Sequence, residues 1–136
     1  MKKSIAAVLI ALLVVGGVSW AYHASGQRFG KASSPQQKDT VFVNTTDLAK
    51  DVIGYEGTTP LLIKLVEGRI VSIEALPNDE TPGFFRRVKN SALFTAPLGK
   101  TASEALELKL DAVSGATFSS KAVIENLRRG LRSVSE

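Results

Sequence analysis

Hydrophobic and polar positions divide the chain into three regimes. Residues 4–22, SIAAVLIALLVVGGVSWAY, carry no charge. As a helix this run would reach roughly 28 Å at ~1.5 Å per residue, close to the hydrocarbon thickness of a bilayer. It predicts a membrane anchor over 1–22. Residues 23–40, HASGQRFGKASSPQQKDT, are polar and rich in Ser, Gln and Gly. Their apolar content is too low to build a core, which predicts a flexible linker. Periodic patterns begin only with the head, residues 41–136.

Within the head, TTDLAKDVIGY (45–55) predicts a short helix, with Thr45 or Thr46 as N-cap and Gly54 as its stop. PLLIKLVEGRIVSIEAL (60–76) alternates like a hairpin. A three-residue loop, Glu67-Gly68-Arg69, pairs Leu65 with Val71, Ile63 with Ile73 and Leu61 with Ala75, so that one face is apolar. A two-residue loop would set Ile63 against Ser72 and Leu61 against Glu74. A one-step slip moves residues across the sheet, so the first register is expected. Pro77 and Pro82 then bracket an acidic turn, and Gly83 allows a close backbone approach or a positive φ.

PGFFRRVKN (82–90) predicts one or two helical turns, and SALFTAPLGKT (91–101) reads as irregular. In ALELKL (105–110), Leu106, Leu108 and Leu110 alternate with Glu107 and Lys109, which predicts a half-buried strand. In the last segment Val123, Ile124, Leu127, Leu131 and Val134 recur at three and four residues and form one face of a helix. The fold class expected is α+β: a small antiparallel sheet with packed helices, preceded by one N-terminal transmembrane helix.

Charge sharpens this organisation. Lys2 and Lys3 precede the apolar run, so the positive-inside tendency places the N-terminus in the cytoplasm. Trp20 and Tyr22 lie at the far end, where amphipathic rings favour the membrane–water boundary. A cleaved signal peptide is the other reading of such a start. WAYHASG, however, offers no clean small-x-small site, and any cut would fall near Trp20 or Tyr22. Under either reading the head lies outside the cytoplasm, periplasmic or at the cell surface.

The net charge of +4 resides in the first 39 residues, since twelve basic and twelve acidic residues balance from residue 40 onward. A nucleic-acid binder would concentrate positive charge on its folded module, so no nucleic-acid partner is expected. Arg128, Arg129 and Arg132 read as a solvated face that complements the helix dipole. The absence of cysteine excludes disulfides, thiolate metal sites and a thiol nucleophile, and the lone His23 cannot build a zinc site.

The stretch with most chemical content is DAVSGATFSS (111–120), at the expected entry to the last helix. Only Gly115 and Ala116 stand immediately before the Thr117 hydroxyl. A helix start carries unpaired N–H groups and partial positive charge, a natural seat for a phosphate. It is equally a place where Ser and Thr act as ordinary caps. The residues alone leave both readings open. No P-loop or dinucleotide fingerprint is present.

DAVSGATFSS closely resembles the flavin-attachment motif of the FMN-binding domain family, which includes the G subunit of Rnf complexes and the C subunit of sodium-pumping quinone reductases. Its motif runs roughly Asp-(Ala/Gly)-x-Ser-Gly-Ala-Thr-x-(Thr/Ser)-Ser, matched by Asp111, Ser114, Gly115, Ala116, Thr117, Ser119 and Ser120. GYEG (54–57), EGRIVSI (67–73) and ETPGF (80–84) follow the family's order over nearly the whole head. Asn78 stands where members often carry His, and the chain is shorter than the subunits of the large complexes, like a minimal single-module version.

The resemblance implies that Thr117 is joined by a phosphoester to FMN, by a separate flavin transferase that uses FAD and a divalent metal. It assigns Asp111, Ser114, Gly115, Ala116, Ser119 and Ser120 to transferase recognition and to the fit of the loop. It places Glu80, Thr81, Pro82, Gly83 and Phe84 beside the isoalloxazine ring or the ribityl chain. Thr81 and the backbone near Gly83 are expected to offer hydrogen bonds, Phe84 apolar contact, and Glu80 either ligand contact or a cap for the next turn. The implied function is a membrane-anchored extracytoplasmic electron carrier that relays electrons between membrane redox proteins or quinones, with no catalytic or metal-ligating residue of its own. A flavin-free ligand-binding or assembly module and a noncovalent flavin reductase are the alternatives.

Overall fold

The computed structural model describes residues 38–135. The expected anchor and nearly all of the expected linker lie outside the described residues, so the fold bears only on the head. Among the described residues no helix is long and apolar enough to cross a membrane.

Three strands, β1 (Thr40–Asn44), β2 (Leu61–Val66) and β3 (Arg69–Ala75), form an antiparallel sheet in the order β1-β2-β3. The expected α+β head is present. β1 was not anticipated, and Thr40, placed at the end of the linker, is its first residue. TVFVN is rich in β-branched and aromatic residues, but only Val43 is buried. Its pattern therefore lacks the alternation that betrays a strand.

The hairpin keeps the expected outer pairs, Leu61 with Ala75 and Ile63 with Ile73. Its tip differs. The loop has two residues, Glu67 and Gly68, both with positive φ (52° and 76°), and Leu65 faces Ile70 instead of Val71. An irregularity beside Lys64/Leu65 absorbs one residue of β3 as a bulge. Two positive-φ residues give the turn that suits the twist of a hairpin. The bulge then restores the apolar register, with Ile70 fully buried and Val71 48% exposed.

The segment 45–55 is a run of turns, not a helix. One i to i−4 bond forms, from Ala49 N–H to the Thr45 carbonyl. The local polar groups are committed elsewhere. Asn44 Oδ1 accepts from the N–H and hydroxyl of Thr46 at 2.9 and 2.6 Å. Thr45 Oγ1 donates to Asn126 Oδ1 at 2.6 Å and accepts from Leu61 N–H at 2.8 Å. Asn126 in turn donates to the Ala122 carbonyl at 3.0 Å. This buried chain of bonds pins the turn segment to the sheet and the last helix, where an unpaired polar group would be costly.

Four helices follow: α1 (Pro82–Lys89), α2 (Ala92–Thr95), α3 (Ala102–Leu106) and α4 (Thr117–Arg132). The stretch 91–101, expected to be irregular, thus contains the short α2. The strand expected at 105–110 does not form. Thr101 and Glu104 make a reciprocal capping box and start α3 instead. The edge of β3 nearby is already taken, since Ile70 N–H donates to the Lys100 carbonyl and Gly99 N–H to that of Ile70. Leu106, Leu108 and Leu110 still pack against the core, so the burial alternates without a ladder.

α4 runs as its periodicity predicts. Val123, Ile124, Leu127 and Leu131 are buried with Val43, Leu61, Ile63, Leu65 and Ile70 of the sheet, and Val134 packs against them. Of the three arginines, Arg128 and Arg132 are exposed. Arg129 pairs with both oxygens of Asp51 at 2.5 and 3.1 Å and with Glu125 at 2.9 Å. Its hydrogen bonds hold the Asp51 carboxyl below the ordinary range.

Candidate functional site

The loop between α3 and α4 brings the motif to one end of the core. Gly115 lies in the left-handed region, with φ 78°, a conformation that disfavours any residue with a Cβ. It reverses the chain so that Ala116 turns inward, 6% exposed, and becomes the N-cap of α4. Thr117 is the first residue of the helix and is exposed. No side chain caps this helix start. Thr117 therefore does not act as an ordinary cap.

Two motif hydroxyls hold the loop together. Ser120 Oγ donates to the Ala116 carbonyl at 2.7 Å and accepts from Val113 N–H at 3.0 Å. The Ser119 hydroxyl donates to Glu80 Oε2. Both serines are buried, whereas Asp111 and Ser114 are exposed on the approach to the turn.

Glu80 is the junction of the site. It is 5% exposed. Besides Ser119, it accepts through Oε1 from the backbone N–H groups of Glu56 at 3.0 Å and Gly57 at 3.3 Å. A buried carboxylate persists only when its oxygens are satisfied, and here three donors do so. Glu80 thus joins GYEG, ETPGF and the motif. It does not cap α1, whose N-cap is Thr81. Asn78 Oδ1 accepts from Glu80 N–H at 3.1 Å and so sets the backbone at this point. Gly54 lies so close that a Cβ there would collide with Glu80 Oε1.

These segments enclose a cavity of about 350 Å³ lined by Tyr55, Glu80, Thr81, Phe84 and Gly115 to Ser119. That volume lies within the range of about 300–1,000 Å³ common for small-molecule pockets. Of the expected site residues, Glu80, Thr81, Phe84, Gly115, Ala116, Thr117 and Ser119 converge on it. Pro82 and Gly83 do not. They border a separate, more open hollow with Arg86 and Lys89. The expected close approach or positive φ at Gly83 is likewise not found. It is the second residue of α1, outside the left-handed region, with open space where a Cβ would stand.

Three residues were not singled out from the sequence. Tyr55 and Phe118, 65% and 67% exposed, line the cavity with ring centroids 6.5 Å apart. Their signal was available: Tyr55 sits inside GYEG, and Phe118 follows Thr117 directly. Arg87 is the third. Its guanidinium lies over the Phe84 ring, with Cζ 5.1 Å from the ring centre. Its Nη2 lies 3.3 Å from where a Gly115 Cβ would be.

The site therefore joins an exposed hydroxyl at an uncapped helix start, three aromatic faces and a cavity with a satisfied carboxylate in its wall. Such an arrangement suits a flat aromatic ligand that carries an anionic group. The model of the FMN-binding domain family matches residues 54–132, which include every cavity residue. Comparison with curated proteins and with solved structures returned no match.

Proposed function

The chain belongs to the FMN-binding domain family, and from that premise we propose that it is an extracytoplasmic electron carrier holding FMN covalently through Thr117. Bound flavin supplies reversible electron transfer, with its potential tuned by the surrounding pocket. The observation that carries the reading is the placement of Thr117, exposed at the first turn of α4 and on the wall of the cavity.

The residues fit the group. The first N–H groups of α4 and the positive end of its dipole favour a phosphate ester at the helix start. Gly115 and Ala116 leave that hydroxyl open to an incoming phosphoryl group. Tyr55, Phe84 and Phe118 offer apolar faces to a tricyclic ring. Glu80 holds the walls of the pocket in place through Glu56, Gly57 and Ser119. In the attachment step the Thr117 oxygen attacks the flavin-side phosphorus of FAD. The Oγ–P bond forms, the pyrophosphate bridge breaks, AMP leaves, and the hydroxyl proton passes to a base of the transferase.

Residues 1–22 serve in this proposal as a membrane anchor and 23–40 as a tether, with the head outside the cytoplasmic membrane. The partners are a flavin transferase, then membrane redox proteins or quinones. A covalent bond suits that location, because flavin lost there would be hard to replace.

The test is coexpression of the chain with a flavin transferase, followed by denaturing electrophoresis and intact mass. The wild type should fluoresce in the gel and gain the mass of one FMN residue, and Thr117→Val should do neither while keeping its far-ultraviolet circular dichroism. Flavin that is released on denaturation would mark a noncovalent reductase. No flavin at all would mark a flavin-free module.

A further inference from the structure

We propose that Arg87 is the side chain that grips the flavin phosphate, an assignment that rests on flavin attachment at Thr117. Among the described residues no carboxylate lies within ion-pair distance of Arg87. Its guanidinium is instead held over the Phe84 ring at 5.1 Å, and Phe84 lines the cavity. Nη2 comes within 3.3 Å of the Cβ position of Gly115, two residues before Thr117. The other two basic residues of α1, Arg86 and Lys89, border the separate hollow. α1 therefore turns one cation towards the motif loop.

The chemistry fits this placement. A phosphodiester keeps one negative charge, and a planar guanidinium can meet two of its oxygens with parallel N–H bonds. Contact with the Phe84 ring restrains the guanidinium before the phosphate arrives, which lowers the ordering cost. The positive end of α4 and Arg87 would then face the same anion from two elements. This also gives Gly115 a second role. A side chain there would crowd the guanidinium as well as strain the backbone.

The experiment uses the full chain, made without a transferase and then loaded with purified transferase, FAD and a divalent metal. Loading is followed by intact mass, and the loaded protein by ³¹P NMR. Arg87→Gln should load about tenfold more slowly than wild type, the effect of one charge-assisted bond. Arg86→Gln should load at the wild-type rate. The ³¹P resonance of the Thr117 ester should be displaced in loaded Arg87→Gln and unmoved in Arg86→Gln. If Arg87→Gln gains too little flavin to observe, Arg87→Lys carries the same comparison, because an ammonium replaces the fork. A resonance that coincides with wild type overturns the assignment whatever the loading rate, since slow loading then reflects transferase recognition. A wild-type chain that gains no flavin mass refutes attachment itself, and Arg87 then has no phosphate to hold.

Discussion

Replacing Glu80 by Ala removes the one side chain on which three segments converge. Its Oε1 accepts from Glu56 and Gly57 N–H at 3.0 and 3.3 Å, and its Oε2 from the Ser119 hydroxyl. Ser119 is 3% exposed, so solvent only partly replaces its lost acceptor. A buried unsatisfied donor costs about 1–3 kcal/mol. Glu56 is exposed and Gly57 half-buried, so solvent replaces part of the two amide bonds. Their loss adds about 1–2 kcal/mol. The expected destabilisation is therefore about 2–5 kcal/mol. Glu80→Gln keeps the Oε1 acceptor and turns an amide towards Ser119, whose hydroxyl can accept as well as donate. It should cost about 1 kcal/mol. Urea unfolding followed by circular dichroism reads both, as a shift in midpoint at constant slope. A double-mutant cycle with Ser119→Ala should return a coupling of about 1–2 kcal/mol. The reasoning fails if Glu80→Ala lies within about 0.5 kcal/mol of wild type, if Gln costs as much as Ala, or if the cycle is additive.

Two further outcomes follow from the fold. Ile70 is fully buried and Val71 is 48% exposed, so Ile70→Ala should cost about 2–5 kcal/mol and Val71→Thr no more than about 0.5 kcal/mol; the reverse order in urea unfolding would mean that Val71, not Ile70, faces Leu65. Hydrogen bonding from Arg129 lowers the pKa of Asp51, and a depressed carboxylate adds stability that is present above its unfolded pKa of ~3.9 and lost as pH falls through the lower folded value. The small difference in Tm between wild type and Asp51→Asn should therefore hold from neutral pH to about 4, vanish in stronger acid, and shrink with salt; a difference unchanged at about pH 2 refutes the pairing.

Some of this molecule was legible one residue at a time. The spacing of Val123, Ile124, Leu127 and Leu131 reports a helix with one buried face, and it appears as α4. Alternation fixed the faces of β2 and the outer pairs of the hairpin, because a strand exposes every second residue. Gly115, Ala116 and Thr117 announced an open hydroxyl at a helix entry, and the geometry places it there. The same method misplaced 105–110. Leu106, Leu108 and Leu110 alternate in burial as a strand would, but burial pattern does not say whether a partner edge is free. The loop Gly99–Thr101 had already occupied it.

What tertiary structure alone decided is who meets whom. Glu80 reaches donors 23 and 24 residues before it and 39 after it. No periodicity encodes a bond of that span, so the carboxylate read locally as a possible cap. The convergence of Tyr55, Phe84, Phe118 and Arg87 on one loop has the same origin. Tyr55, the α1 neighbours Phe84 and Arg87, and Phe118 lie on three stretches of the chain, and only the packing of α1 and α4 against the sheet sets those stretches side by side. Local sequence supplied the chemical groups. The closing of the chain on its core, driven by burial of apolar surface, supplied their geometry.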